Sequence, residues 1–143
     1  MAITARRTMY PMAEMVEVAA EGTTVIDLVD IPEGTIIESV LVRIKTPATG
    51  TAANLSVGDA GDAAGFIMPN NAQAAAGTIY GNDPDHLGGY LKDTVTCAAT
   101  GANAKVGHNG HLYATAAKLR FVLSAAATGG VYQVFVTGKR FAI

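Results

Sequence analysis

The chain has 143 residues, with 10 Lys and Arg against 12 Asp and Glu for a net charge of −2. That length suits one domain with its own core, and charged residues at only 15%, against the roughly 25% of ordinary soluble domains, exclude an acidic or basic binding tail and disfavour nucleic acid as a partner. A single cysteine, Cys97, excludes an intrachain disulfide framework and a cysteine-based zinc site.

Residues 1–13 read as an N-terminal arm and residues 14–143 as the folded domain. Residues 2–11 show no strand parity, carry Arg6 and Arg7, and end at Pro11, which biases Tyr10 toward extended backbone. Such an end frays by default or orders on a partner. It holds no apolar h-region, and no run in the chain approaches the ~18 apolar residues of a membrane helix, so neither a signal peptide nor a membrane span is expected.

From Met15 the pattern becomes one of short strands. Val16 and Val18 alternate about Glu17, and an apolar stretch at 25–29 follows the Glu21-Gly22 turn signal. Ile31-Pro32-Glu33-Gly34 then breaks the chain. Residues 35–46 form the longest strand candidate: Ile36, Val40, Val42 and Ile44 share one parity with Glu38 as the exception, and Ile37, Leu41, Arg43 and Lys45 share the other. Leu55 and Val57 lie on one side of a short strand, and the run GDAGDAAG at 58–65 is a loop. Phe66-Ile67-Met68 is a brief apolar stretch closed by Pro69, residues 73–76 can form one helical turn on alanine propensity, and 78–80 is a short strand.

After the 81–85 loop, a strand at 94–98 carries Val95 and Cys97 inward. Asn109-Gly110 is the strongest hairpin signal, joining 105–108 to 111–113. Residues 118–124 alternate with Leu119, Phe121 and Leu123 on one side, and 131–137 do so with Tyr132, Val134 and Val136. Nine or ten short strands separated by turn signals predict an all-β chain, an antiparallel sandwich or barrel.

Few residues suggest chemistry. Asp59 and Asp62 in the glycine loop invite a calcium reading, but calcium needs six to eight oxygens and the spacing is not that of an EF-hand loop. Tight turns built by side-chain-to-backbone bonds are the simpler account. Asp83, Asp85 and His86 form a polar loop with no second histidine at ligand spacing. His108 and His111 would face each other across a two-residue hairpin, and two ligands fall short of a zinc site. Cys97 has no cationic neighbour in sequence to activate it, and Ser39, Ser56 and Ser124 lie in strands, outside any G-x-S-x-G elbow. No phosphate loop, dinucleotide fingerprint or H-E-x-x-H helix is present, so neither an enzyme nor a cofactor is expected. Arg6, Arg7, Lys139 and Arg140 stand as two basic pairs at opposite ends of the chain and make one patch if the termini converge.

A strand ending in Asp30-Ile31-Pro32-Glu33-Gly34-Thr35, the strand Leu41-Val42-Arg43-Ile44-Lys45-Thr46-Pro47, and then Ser56-Val57-Gly58-Asp59 with Gly61-Asp62-Ala63-Ala64-Gly65-Phe66 follow in order. Gly89-Tyr90-Leu91 and the closing apolar strand complete a pattern over residues 15–137. It resembles small jelly-roll decoration, or cement, proteins on the heads of tailed phages. The resemblance implies a single jelly-roll sandwich with an extended N-terminal arm, made in the host cytoplasm and carried on the outer surface of the capsid. It implies a structural role in bridging capsomers, with the major capsid protein as partner and a homotrimer as the assembly. The residues expected at capsid or subunit contacts are Ile3, Arg6, Arg7, Met9, Tyr10 and Met12 of the arm, with Asp59 and Asp62 of the loop. The competing reading is a fibre or spike sandwich that binds a host carbohydrate. Against it stand the absence of Trp and an aromatic content of 6%, since sugar faces stack on exposed rings.

Overall fold

The computed structural model describes residues 2, 6–96, 103–107 and 110–141. Apolar alternation builds eleven strands among them: β1 (Met9–Glu21), β2 (Val25–Ile31), β3 (Ile36–Thr46), β4 (Asn54–Gly58), β5 (Ile67–Asn71), β6 (Ile79–Tyr80), β7 (Lys92–Thr96), β8 (Asn103–Gly107), β9 (His111–Leu112), β10 (Ala117–Leu123) and β11 (Thr128–Phe141). One sheet has the order β1-β11-β3-β6, with β9 also paired to β3, and the other has the order β2-β10-β4-β5. β7 and β8 form a separate ribbon. All pairings are antiparallel. The fold is the all-β sandwich that the alternation predicts, and among the described residues the one helical element is a 3-10 turn at Pro84–His86. Residues 73–76 form turns and no helix.

The inward rows of both sheets make the core. Leu119 and Phe121 of β10 and Tyr132, Val134 and Val136 of β11 are fully buried, as their parity requires. Each such large side chain contributes about 1.5–3 kcal/mol. Tyr132 packs its ring 5.1 Å from that of Phe121 and donates its hydroxyl to the Ala72 carbonyl at 2.8 Å, so its polar end is satisfied inside the core.

β3 corrects the parity read from the sequence. Ile37, Val40, Val42 and Ile44 are the buried residues, while Ile36 is half-buried and Glu38 exposed. The register explains the slip: Thr137 faces Ser39 and Gly138 faces Ile37, so Glu38 is an extra residue in a β-bulge. The bulge turns Ile37 inward and lets Glu38 reach the Lys139 ammonium at 3.3 Å. Gly138 opposite is required by close approach, because a Cβ there would collide with the Ile36 carbonyl.

Two further expectations are revised. β1 begins at Met9, inside the segment read as an arm, and pairs with β11 from Met9↔Phe141 onward. Among the described residues, the strands on either side of the Asn109-Gly110 signal pair elsewhere: β8 with β7, and β9 with β3, placing His111 opposite Ile37. Cys97, His108 and Asn109 lie outside the described residues.

Candidate functional site

At one end of the sandwich, three connections meet at Asp59. Backbone bonds from Asp59 to the Asp62 carbonyl (2.9 Å) and from Gly65 to the same oxygen (3.1 Å) close the 58–65 loop on itself. The loop is tight enough that a Cβ on Gly58 would strike the Asp62 carbonyl and one on Gly65 the Tyr90 ring. Asp59 is 7% exposed. Its Oδ1 accepts from the Gly61 amide (2.8 Å), the Asp62 amide (3.0 Å) and the Tyr90 hydroxyl (3.0 Å), and its Oδ2 from the Tyr113 hydroxyl (2.7 Å).

Burial raises the Asp59 carboxyl, but the donors from Tyr113, Asp62, Tyr90 and Gly61 outweigh it and hold the group below the ordinary aspartate value. Burial and the adjacent carboxylate push the Tyr90 phenol up to about 12 and the Tyr113 phenol further up. Around this knot the rings interlock. Tyr90 stacks on His111 at 3.8 Å and meets Phe66 edge-on at 5.2 Å, and Tyr113 meets His111 edge-on at 4.8 Å. The group borders an open cleft of about 700 Å³ whose other wall includes Asp30, Lys118 and Arg120. Those charges are already engaged, with Lys118 3.5 Å from Asp30 and Arg120 3.0 Å from Asp27. The arrangement ties loops together; it positions no nucleophile beside a base.

The remaining polar residues singled out in the sequence serve turns and edges. Asp83 caps the 3-10 turn by accepting from the Asp85 amide at 2.9 Å, and His86 Nδ1 accepts from the Gly81 amide at 3.4 Å. Asp62 is exposed and accepts from the Ala64 amide at 3.0 Å. Ser124 accepts from the Asn54 amide at 2.8 Å.

At the ends of β1 and β11 the two basic pairs do converge. The register sets Tyr10 opposite Arg140 and Pro11 opposite Lys139. Of the residues expected at contacts, Arg6, Arg7 and Tyr10 are exposed, Met9 is half-buried, Met12 is 9% exposed within the core, and Ile3 lies outside the described residues. Asp59 is likewise an internal group, so the structure separates it from the surface candidates. Arg7 lies over the Phe141 ring at 5.4 Å. Tyr90 and Tyr113, the partners of Asp59, were not legible as a set, because 31 and 54 residues separate them from it.

The outer face of the larger sheet carries a third feature. Met15, Phe135 and Leu41 form an apolar row across β1, β11 and β3. Met15 is 52% and Phe135 36% exposed. Beside it runs a polar row in which Glu17 accepts from Lys45 at 3.2 Å and from Gln133 at 3.1 Å, and Gln133 accepts from Arg43 at 3.0 Å.

No family model and no curated protein sequence matches the chain. Among solved structures, it is similar to a chain in the acidic stable capsid structure of Helicobacter pylori bacteriophage KHP30. The identity is 11% and the TM-score 0.53, covering 96% of this chain and 94% of that one. A chain in the capsid asymmetric unit of cyanophage Pam1 is 19% identical with a TM-score of 0.44, over 100% of this chain and 93% of that one. At such identities the first likeness shows a shared sandwich fold over the whole chain.

Proposed function

We propose that this protein is a structural, non-enzymatic component of a phage virion that decorates the outer surface of the head and stabilises it by bridging capsomers. The supporting observation is the end-to-end fold likeness to a chain from a phage capsid structure. The site geometry agrees with it: the one buried carboxylate described above fastens loops and is aimed at no substrate. The jelly-roll class, the major capsid protein as partner and a homotrimeric assembly belong to the same proposal. The row of exposed Met15 and Phe135 with half-buried Leu41 offers apolar surface of the kind that subunit contacts bury.

Mixing the purified protein with undecorated heads and sedimenting them tests the reading. Saturable co-sedimentation at a fixed number of copies per head is the expected result. Protein left entirely in the supernatant, or bound only to tails, would contradict it.

A further inference from the structure

We infer that the converged termini form a cradle for an acidic segment of a partner protein, in which Arg6, Arg7 and Arg140 receive carboxylates. This deepens the decoration reading and rests on it, by naming the surface of this chain that meets the capsid and the chemistry it meets there.

Arg7 lies over Phe141 at the end of β11, Arg6 precedes it in the chain, and the register sets Arg140 opposite Tyr10 and Lys139 opposite Pro11, so four of the ten Lys and Arg of a net-negative chain belong to the two strand ends that meet here. Lys139 is neutralised by Glu38 at 3.3 Å. Arg6, Arg7 and Arg140 make no ion pair among the described residues, and Glu33 in the adjoining β2–β3 turn makes none with them. A cation without an ion pair at the meeting of the two strand ends gains most from an anionic partner.

The patch has shape as well as charge. Arg7, Thr8, Tyr10 and Phe141 line a groove of about 260 Å³. Phe141 is held from behind by the turn at Gly34, where even a Cβ would collide with its ring. The Arg7 guanidinium over that ring is held by its face. Its N–H edge stays available for the bidentate carboxylate contact that a guanidinium favours. Tyr10, half exposed, supplies an aromatic wall with a hydroxyl.

The partner meets side chains and does not extend the sheet. β1 is an edge strand, yet Pro11 lacks an amide hydrogen, and Glu14, itself exposed, puts a charge into the row of Met12 and Val18, opposite buried Val136. Both devices block strand addition. A nucleic-acid partner is disfavoured because the cations form one small patch on a chain of net negative charge, with no basic stripe to follow a backbone.

The test uses full-length protein, undecorated heads and the variant R6E/R7E/R140E, with R6Q/R7Q/R140Q as a milder second variant. Melting temperatures identify any variant that fails to fold. Wild type should bind heads with an affinity that falls as salt rises, and both folded variants should bind roughly tenfold or more weakly, the charge reversal most. Variants that bind as wild type does, while wild type decorates normally, overturn the cradle alone. Wild type that binds no heads overturns the functional reading and the cradle with it. Duplex DNA is the second probe: wild type that shifts DNA, with the variants losing that shift and keeping head binding, makes the patch a nucleic-acid surface and overturns the inference.

Discussion

At Asp59 two opposing effects meet in one side chain. Burial favours the neutral acid, while two phenol and two amide donors favour the carboxylate, and the donors prevail. The folded value therefore lies below the unfolded one, which is about 3.9 for aspartate. Above that pH the unfolded chain and the folded protein are both ionised, and the stabilisation is complete. As pH falls through the folded value, the unfolded state holds more protons and the stabilisation is lost. The phenols act on the alkaline side. Their folded values are raised, Tyr90 to about 12, so their stabilisation is complete below the unfolded value of about 10 and is lost as pH rises beyond it. Asp59→Asn should lower stability at neutral pH by about 1.5–3 kcal/mol, because hydrogen bonds to a charged acceptor are exchanged for weaker ones. It should also flatten the acid limb. Urea denaturation of both proteins between pH 3 and pH 7 measures this, and equal midpoints with equal acid limbs would remove Asp59 from its role as the fastening of the loops.

Among the elements, β1 departs most from what the residues alone convey. Pro11 and Glu14, an exposed charge in the row of Met12 and Val18, interrupt its alternation, so residues 9–13 look irregular although they pair with β11. Long-range pairing across the whole chain, Met9 with Phe141, leaves no local signature. Strands with clean alternation, β10 and the centre of β11, were legible because nothing interrupts their apolar rows. β3 was half legible: Glu38 stood out as an exception, and the bulge that accounts for it is set by the partner strand. The basic pairs were visible in sequence, but their meeting depends on the β1–β11 register.

Removing residues 2–8 should therefore shift the melting temperature by only a few degrees, since the described β1–β11 ladder begins at Met9. Removing residues 2–13 takes away the Met9–Ala13 pairing and the buried Met12 side chain, itself about 1.5–3 kcal/mol. Calorimetry of the two truncations should show a much larger loss for the longer one, and equal melting temperatures would mean that the start of β1 contributes nothing. Glu14→Val restores an unbroken apolar row on an edge strand and should promote edge-to-edge association, visible as concentration-dependent light scattering absent from wild type. A variant as monodisperse as wild type would show that Glu14 does not guard the edge.

On the scale of the whole molecule, a tightly fastened loop end, a basic terminal end and an apolar row on the larger sheet divide the surface into regions of different chemistry. The apolar row suits contact between copies of the chain, and the basic end suits an acidic neighbour. Sedimentation velocity at micromolar concentration should find a trimer, and Phe135→Asp, which puts a charge into the exposed row, should shift it toward monomer. A trimer unchanged by Phe135→Asp would place the subunit contact elsewhere. The central claim, a structural protein on the outside of a phage head, is tested most directly by electron cryo-microscopy of the parent particle. The expected result is sandwich-shaped density on the outer surface of the head lattice, spanning adjacent capsomers, with the ends of β1 and β11 turned toward the capsid. Density for this chain in the tail, or none anywhere in the particle, would contradict it.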